Sequence, residues 1–168
     1  MTEKNTLFDL SGLDKEAKIL FRRSIGKPLN SVMSRTAHYY YAAESSFGKI
    51  LNEDLHFAIL CLACMYEDDH GKPCHTEYVL HQAIASAKSN GNSTSLEHRI
   101  DNLLATDPER NPYEFIAKLY RILKLADISS YHIVPDWDAL YEDLCKWNVS
   151  GSATAKNVKR KWIKSIYF

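Results

Sequence analysis

A chain of 168 residues and 19.3 kDa, 45% apolar and 25% charged, suits one ordinary globular core and excludes a disordered polymer or a repeat array. Lys plus Arg and Asp plus Glu are both 21, so any preference for an anionic partner must come from where the charges sit rather than from their sum. The opening MTEKNTLFDLSG has no basic stretch leading into an apolar one, and no apolar run reaches bilayer length, so residence in the cytoplasm is the simplest expectation.

Helical signals dominate, and no convincing alternating strand or two-residue hairpin is found. The first helix is expected from Leu13 to Ser24, burying Leu13, Ala17, Leu20 and Phe21 and stopping at Gly26 with Pro28 beyond. That stop leaves Arg22, Arg23 and Lys27 clustered at a helix end. A second helix, Ser31 to Glu44, holds Tyr39, Tyr40 and Tyr41. A third opens at Asn52, an N-cap followed by Glu53 and Asp54, and runs through LHFAILCLACMY to Tyr66 as the central core helix.

After the polar loop EDDHGKPCH a helix is expected from Thr76 to Lys88, followed by the break SNGNS. Thr94 with Glu97 has the spacing of a capping box, opening a helix that buries Leu96, Ile100, Leu103 and Leu104 and projects Arg99. Asn111 before Pro112 predicts a helix to Ala126, with Phe115, Ile116, Leu119, Ile122 and Leu123 inward. Lys118, Arg121 and Lys124 recur on its opposite face. The segment DWDALYEDLCKW follows, then a GSATA break and a terminal basic helix. The expected fold is therefore all-α, a compact bundle of about eight helices in a single domain, divisible into packed lobes at 13–90 and 94–168.

Chemistry-bearing residues are sparse. Cys61 and Cys64 with Cys74, His70 and His75 have the spacing of a zinc site, but the first two fall among Leu60, Leu62 and Met65, where free cysteine serves as a small core residue. Asp136, Asp138, Glu142 and Asp143 could hold a divalent cation or, more simply, stabilise a helix N-terminus. There is no P-loop, GxGxxG turn, GxSxG elbow or HExxH pattern, and no nucleophile is paired with a base. The expectation is a protein without catalysis, cofactor or metal.

Charge is zoned. Glu44, Glu53, Asp54, Glu67, Asp68, Asp69 and Glu77 make the middle acidic, while Lys156, Lys159, Arg160, Lys161 and Lys164 crowd the last thirteen residues. Wound as a helix, that end sets Val158, Trp162 and Ile166 on one face and Lys156, Arg160 and Lys164 on another. Such a stripe is either a solvated helix end or a surface for phosphates, which cations neutralise without reading sequence. The three tyrosines could stack on unpaired bases or belong to the core. A second function class stays open, a helical interaction module whose basic face docks an acidic partner protein.

ILFRRSIGKPL, LEHRIDNLLATD, FIAKLYRILK, VPDWDALYEDLCKW and VKRKWIKSIYF, in this order and spacing from Leu13 to Phe168, resemble the CasB family, the small subunits of the type I-E CRISPR Cascade complex. The resemblance implies a helical, non-enzymatic subunit present in two copies, beside paired CRISPR RNA and target DNA. Its basic surface would help hold the target strand and the displaced strand and stabilise the R-loop in antiviral defence. Carried over, that surface comprises Arg22, Arg23, Lys27, Arg99, Lys118, Arg121, Lys124, Lys156, Arg160 and Lys164. Trp137, Trp147 and Trp162 match positions read as core anchors. The acidic loop EDDHGKPCH receives no role from the resemblance.

Overall fold

The computed structural model describes residues 7–91, 93–147 and 157–168. Among them eight α-helices carry the architecture: α1 Lys15–Arg22, α2 Ser34–Glu44, α3 Glu53–Met65, α4 Thr76–Ser89, α5 Ser93–Leu104, α6 Pro112–Leu125, α7 Trp137–Cys145 and α8 Val158–Tyr167. Asn52 caps α3 through its side chain, which accepts from the Leu55 amide at 3.1 Å, and every residue from Leu55 to Cys64 is buried. A helix buried all round is necessarily central, and α1, α6 and α7 pack against it. A second group forms around α4, which meets α5 and α8, and α5 joins the two groups by packing on α6. One contiguous apolar core runs from Phe8 to Ile166. No helix among the described residues is long and apolar enough to cross a membrane.

Strands were not expected, yet two short ones pair in parallel, β1 Lys72–Cys74 with β2 Ile133–Pro135, in the register Lys72↔Ile133 and Cys74↔Pro135. Three residues are too few to show a period of two, and this pairing depends on long-range approach rather than local pattern. Gly71 permits it, because a Cβ there would stand 2.9 Å from the Ile133 carbonyl carbon.

Helix starts depart from expectation where local hydrogen bonds compete. α2 begins at Ser34 because Ser31 and Val32 both donate their amides to the Pro28 carbonyl and close a separate turn. α5 has already begun at Ser93, so Thr94 sits inside the first turn and does not cap it. Pro112 opens α6 as expected, although the Asn111 side chain makes no capping bond. The α7 carboxylates have structural partners: Asp136 accepts from the Ala139 amide at 3.1 Å, and Asp138 accepts from the Leu7 amide at 2.8 Å.

The aromatic residues divide cleanly. Trp162 and Trp147 are buried edge-on, with centroids 5.1 Å apart and Phe115 beside both, whereas Trp137 is only half-buried against Tyr66. Tyr40 is in the core, Tyr39 bonds Glu16, and Tyr41 alone of the three tyrosines is exposed, bonding Glu53. Cys61 and Cys64 are core residues, and burial pushes the Cys64 thiol up to about 12. Among the described residues no group of three His, Cys, Asp or Glu is arranged to hold a metal ion.

Candidate nucleic-acid interface

The helix stop at Gly26 brings the α1–α2 loop against α6. Gly26 has φ +81° and lies so close to α6 that a Cβ built on it would be 3.1 Å from the Ala117 Cβ. Gly26 and Pro28 therefore form one wall of an open groove of about 790 Å³ whose other wall is α6, with Lys118 and Arg121 among its lining residues. Tyr113 ties the walls together: its hydroxyl accepts from the Leu29 amide at 2.9 Å and donates to Asp54 at 2.6 Å. Lys27, between the two wall residues, and Arg121 are both exposed.

Lys118 is the flank of this stripe. It is half-buried, donates to the Thr106 hydroxyl at 2.8 Å and lies 3.2 Å from Glu114 one turn earlier. Thr106 in turn lines a hollow with Trp147, Asn157 and Lys159, so the groove connects through the Lys118–Thr106 bond to the start of α8. Lys124, a turn beyond Arg121, is exposed with its ammonium 6.0 Å from the Tyr120 ring centroid.

Helix α8 orients its charges by its apolar stripe. Val158, Trp162 and Ile166 are buried, and at about 100° per residue Arg160 and Lys164 straddle the opposite pole. Both are exposed. Asn157 caps the helix, accepting from the Arg160 amide at 3.4 Å. Lys161 falls on one flank and Lys159 on the other. Lys156 lies outside the described residues, as does the GSATA break.

Other predicted cations are placed differently. Arg22 turns back along α3: its Nε donates to the Cys64 carbonyl at 2.8 Å and its guanidinium lies 3.7 Å from Glu67 and 3.8 Å from Asp68. Arg99 is exposed in a shallow hollow with His98 and Asn102, none of whose lining residues belongs to the groove. Arg23 is exposed at the C-terminus of α1. Among the described residues Arg23, Lys27, Arg99, Arg121, Lys124, Arg160 and Lys164 form no ion pair, whereas Lys18, Arg22 and Lys161 do.

This division accounts for much of the acidic middle. Glu67 takes Lys18 and Arg22, and Glu77 takes Lys161, so part of the negative charge is a set of internal counterions for basic helices. The Glu44 carboxyl instead lies beside Glu53, whose side chain raises the Glu44 pKa above its ordinary value. Three cations that the resemblance did not assign to the binding surface also border these surfaces: Arg110 on the groove, Lys159 in the hollow and Lys161 against α4. Helical projection alone flags Lys159 and Lys161 as flanking the exposed pair, but their partners lie far along the chain.

The fold and its surface define a class, a small all-helical protein that presents unpaired cations from the α1–α2 loop, α6 and α8. Residues 20–167 match the family model of the CRISPR-associated protein Cse2. The chain belongs to that family, the small subunits of the type I-E Cascade complex. Comparison with curated proteins and with solved structures found no match.

Proposed function

We propose that this chain is the non-catalytic small subunit of a cytoplasmic Cascade complex. In this reading it assembles in two copies with the other Cascade subunits, CRISPR RNA and target DNA. It binds nucleic-acid backbone without sequence preference, holding the target strand and the displaced strand and stabilising the R-loop in antiviral defence. The observation that carries the reading is the sorting of cations: Lys27, Arg121, Arg160 and Lys164 are exposed without an ionic partner among the described residues, while the acidic middle neutralises others internally. A chain of zero net charge can thus offer a basic face.

The physical demand on such a face is modest. Exchanging a DNA duplex for a guide–target duplex is nearly balanced in free energy, so a few phosphate contacts tip it. Cations on helix faces supply them with no dependence on base identity. The test is the double charge reversal R121E/R160E in an assembled complex, with R-loop formation read by footprinting of the displaced strand. Target binding is expected to weaken at every sequence alike, and R-loop formation equal to wild type overturns the assignment of these residues.

A further inference from the structure

Lys161 differs from every other cation of α8. Its Nζ lies 3.3 Å and 3.4 Å from the two oxygens of Asp143 on α7 and 3.7 Å from Oε1 of Glu77 on α4. The Glu77 side chain is only 9% exposed, and its Oε2 is buried without a hydrogen-bond partner. Asp143 is committed at the same place, because its Oδ2 accepts from the Trp162 indole N–H at 2.9 Å. One turn along α4 from Glu77, the His81 ring bonds the Ile166 carbonyl at 2.9 Å, and Tyr167 donates to Asp101 on α5 at 2.8 Å.

The apolar stripe of Val158, Trp162 and Ile166 sets which side of α8 is buried, and the Trp162 indole bond to Asp143 and the His81 bond to the Ile166 carbonyl restrict its rotation further. A buried carboxylate adds a stronger constraint. It loses its hydration on folding and is left uncompensated if the cation beside it moves. Lys161 is therefore held beside both Glu77 and Asp143, and with the Trp162, His81 and Tyr167 bonds this hold sets the rotation at which Arg160 and Lys164 face outward together. The geometry points to Lys161 as the positioning residue of the Arg160–Lys164 pair, with Glu77 and Asp143 as its anchor. This rests on the reading of that pair as a phosphate-contacting surface. Lys161 itself contacts protein carboxylates and is not part of the nucleic-acid contact.

The sign of one effect separates positioning from plain electrostatics. Neutralising Glu77 or Asp143 makes the surface more positive, which by long-range attraction alone strengthens binding to phosphate. If the carboxylates hold α8 in place, the same substitutions weaken it.

The experiment compares E77Q, D143N, K161M, K161R and the double variant R160A/K164A. Amide hydrogen exchange of α8 is read on the full chain, and target-DNA affinity is read on the assembled Cascade complex. K161M and E77Q should raise α8 exchange by roughly ten-fold while α3 keeps its protection, and K161R should restore it. E77Q and D143N should bind target DNA several-fold more weakly than wild type. Unchanged α8 exchange in K161M and E77Q, or target binding by E77Q as tight as wild type or tighter, overturns the positioning role. Should R160A/K164A bind target DNA like wild type, the phosphate-contact reading falls and takes the positioning role with it. Weakened binding by R160A/K164A beside unaltered E77Q removes the positioning role alone.

Discussion

Gly26 stands against Ala117, with room for a Cβ only at 3.1 Å and a backbone φ of +81° that side-chain-bearing residues rarely adopt. Two demands thus meet at one residue. Gly26→Ala should destabilise the fold by about 1–2 kcal/mol, through the left-handed backbone and the crowding of α6 together. Urea unfolding of the full chain measures it. Because the groove wall moves with the loop, target binding by the assembled complex should also fall, and an unchanged urea midpoint would show that the contact yields freely.

Arg22 and Arg121 were alike on paper and should behave oppositely. Arg121 is exposed with no ionic partner among the described residues, so Arg121→Ala should lower the log–log salt slope of target binding by about 0.7–0.9, the share of one neutralised phosphate. Arg22 is held by the Cys64 carbonyl and flanked by Glu67 and Asp68. Arg22→Ala should leave that slope alone and instead cost about 0.5–1.5 kcal/mol of stability. Measuring affinity at several salt concentrations beside a denaturation curve decides both.

His56 should give the fold a pH dependence. It is fully buried between Tyr40, whose hydroxyl lies 2.8 Å from Nδ1, and the Leu7 carbonyl, 2.7 Å from Nε2. A carbonyl only accepts, so Nε2 carries the proton and Nδ1 accepts from Tyr40. Burial holds the His56 pKa below its usual 6.5, against the opposing pull of the Leu7 bond. The unfolded chain therefore binds the extra proton first as pH falls. Stability is intact above about pH 6.5 and declines below it, by about 1.4 kcal/mol for each unit of depression. Urea midpoints should drop between about pH 7.5 and 5.5 in wild type and drop less in His56→Gln. Equal slopes in the two proteins would assign the titration elsewhere.

What could be read from the chain beforehand was whatever depends on neighbours in sequence. The burial of α3 follows from an unbroken apolar run behind Asn52, the start of α6 from Asn111 and Pro112, and the inward face of α8 from Val158, Trp162 and Ile166. Contacts between distant segments left no such trace. The attachment of Arg22 to Glu67, the pairing of β1 with β2 and the anchoring of Lys161 by Glu77 all join residues that no periodicity relates. An i, i+4 spacing relates Arg160 to Lys164, whereas the partners of Lys161 between them lie on α4 and α7. The zoning of charge was legible, but that the acidic zone neutralises particular cations on α1 and α8 was not.

The parallel strands carry a consequence for how the chain reaches its native state. Cys74 and Ile133 bracket α4, α5 and α6, so the strand pair closes a loop containing three helices with only three residues on each side. Closing so long a loop costs chain entropy that so few hydrogen bonds repay poorly. The clasp should thus form last, after the helices between have condensed and brought Gly71 against Ile133. Its contribution would then lie mainly in slowing the opening of the finished fold, leaving the speed of assembly to the helices.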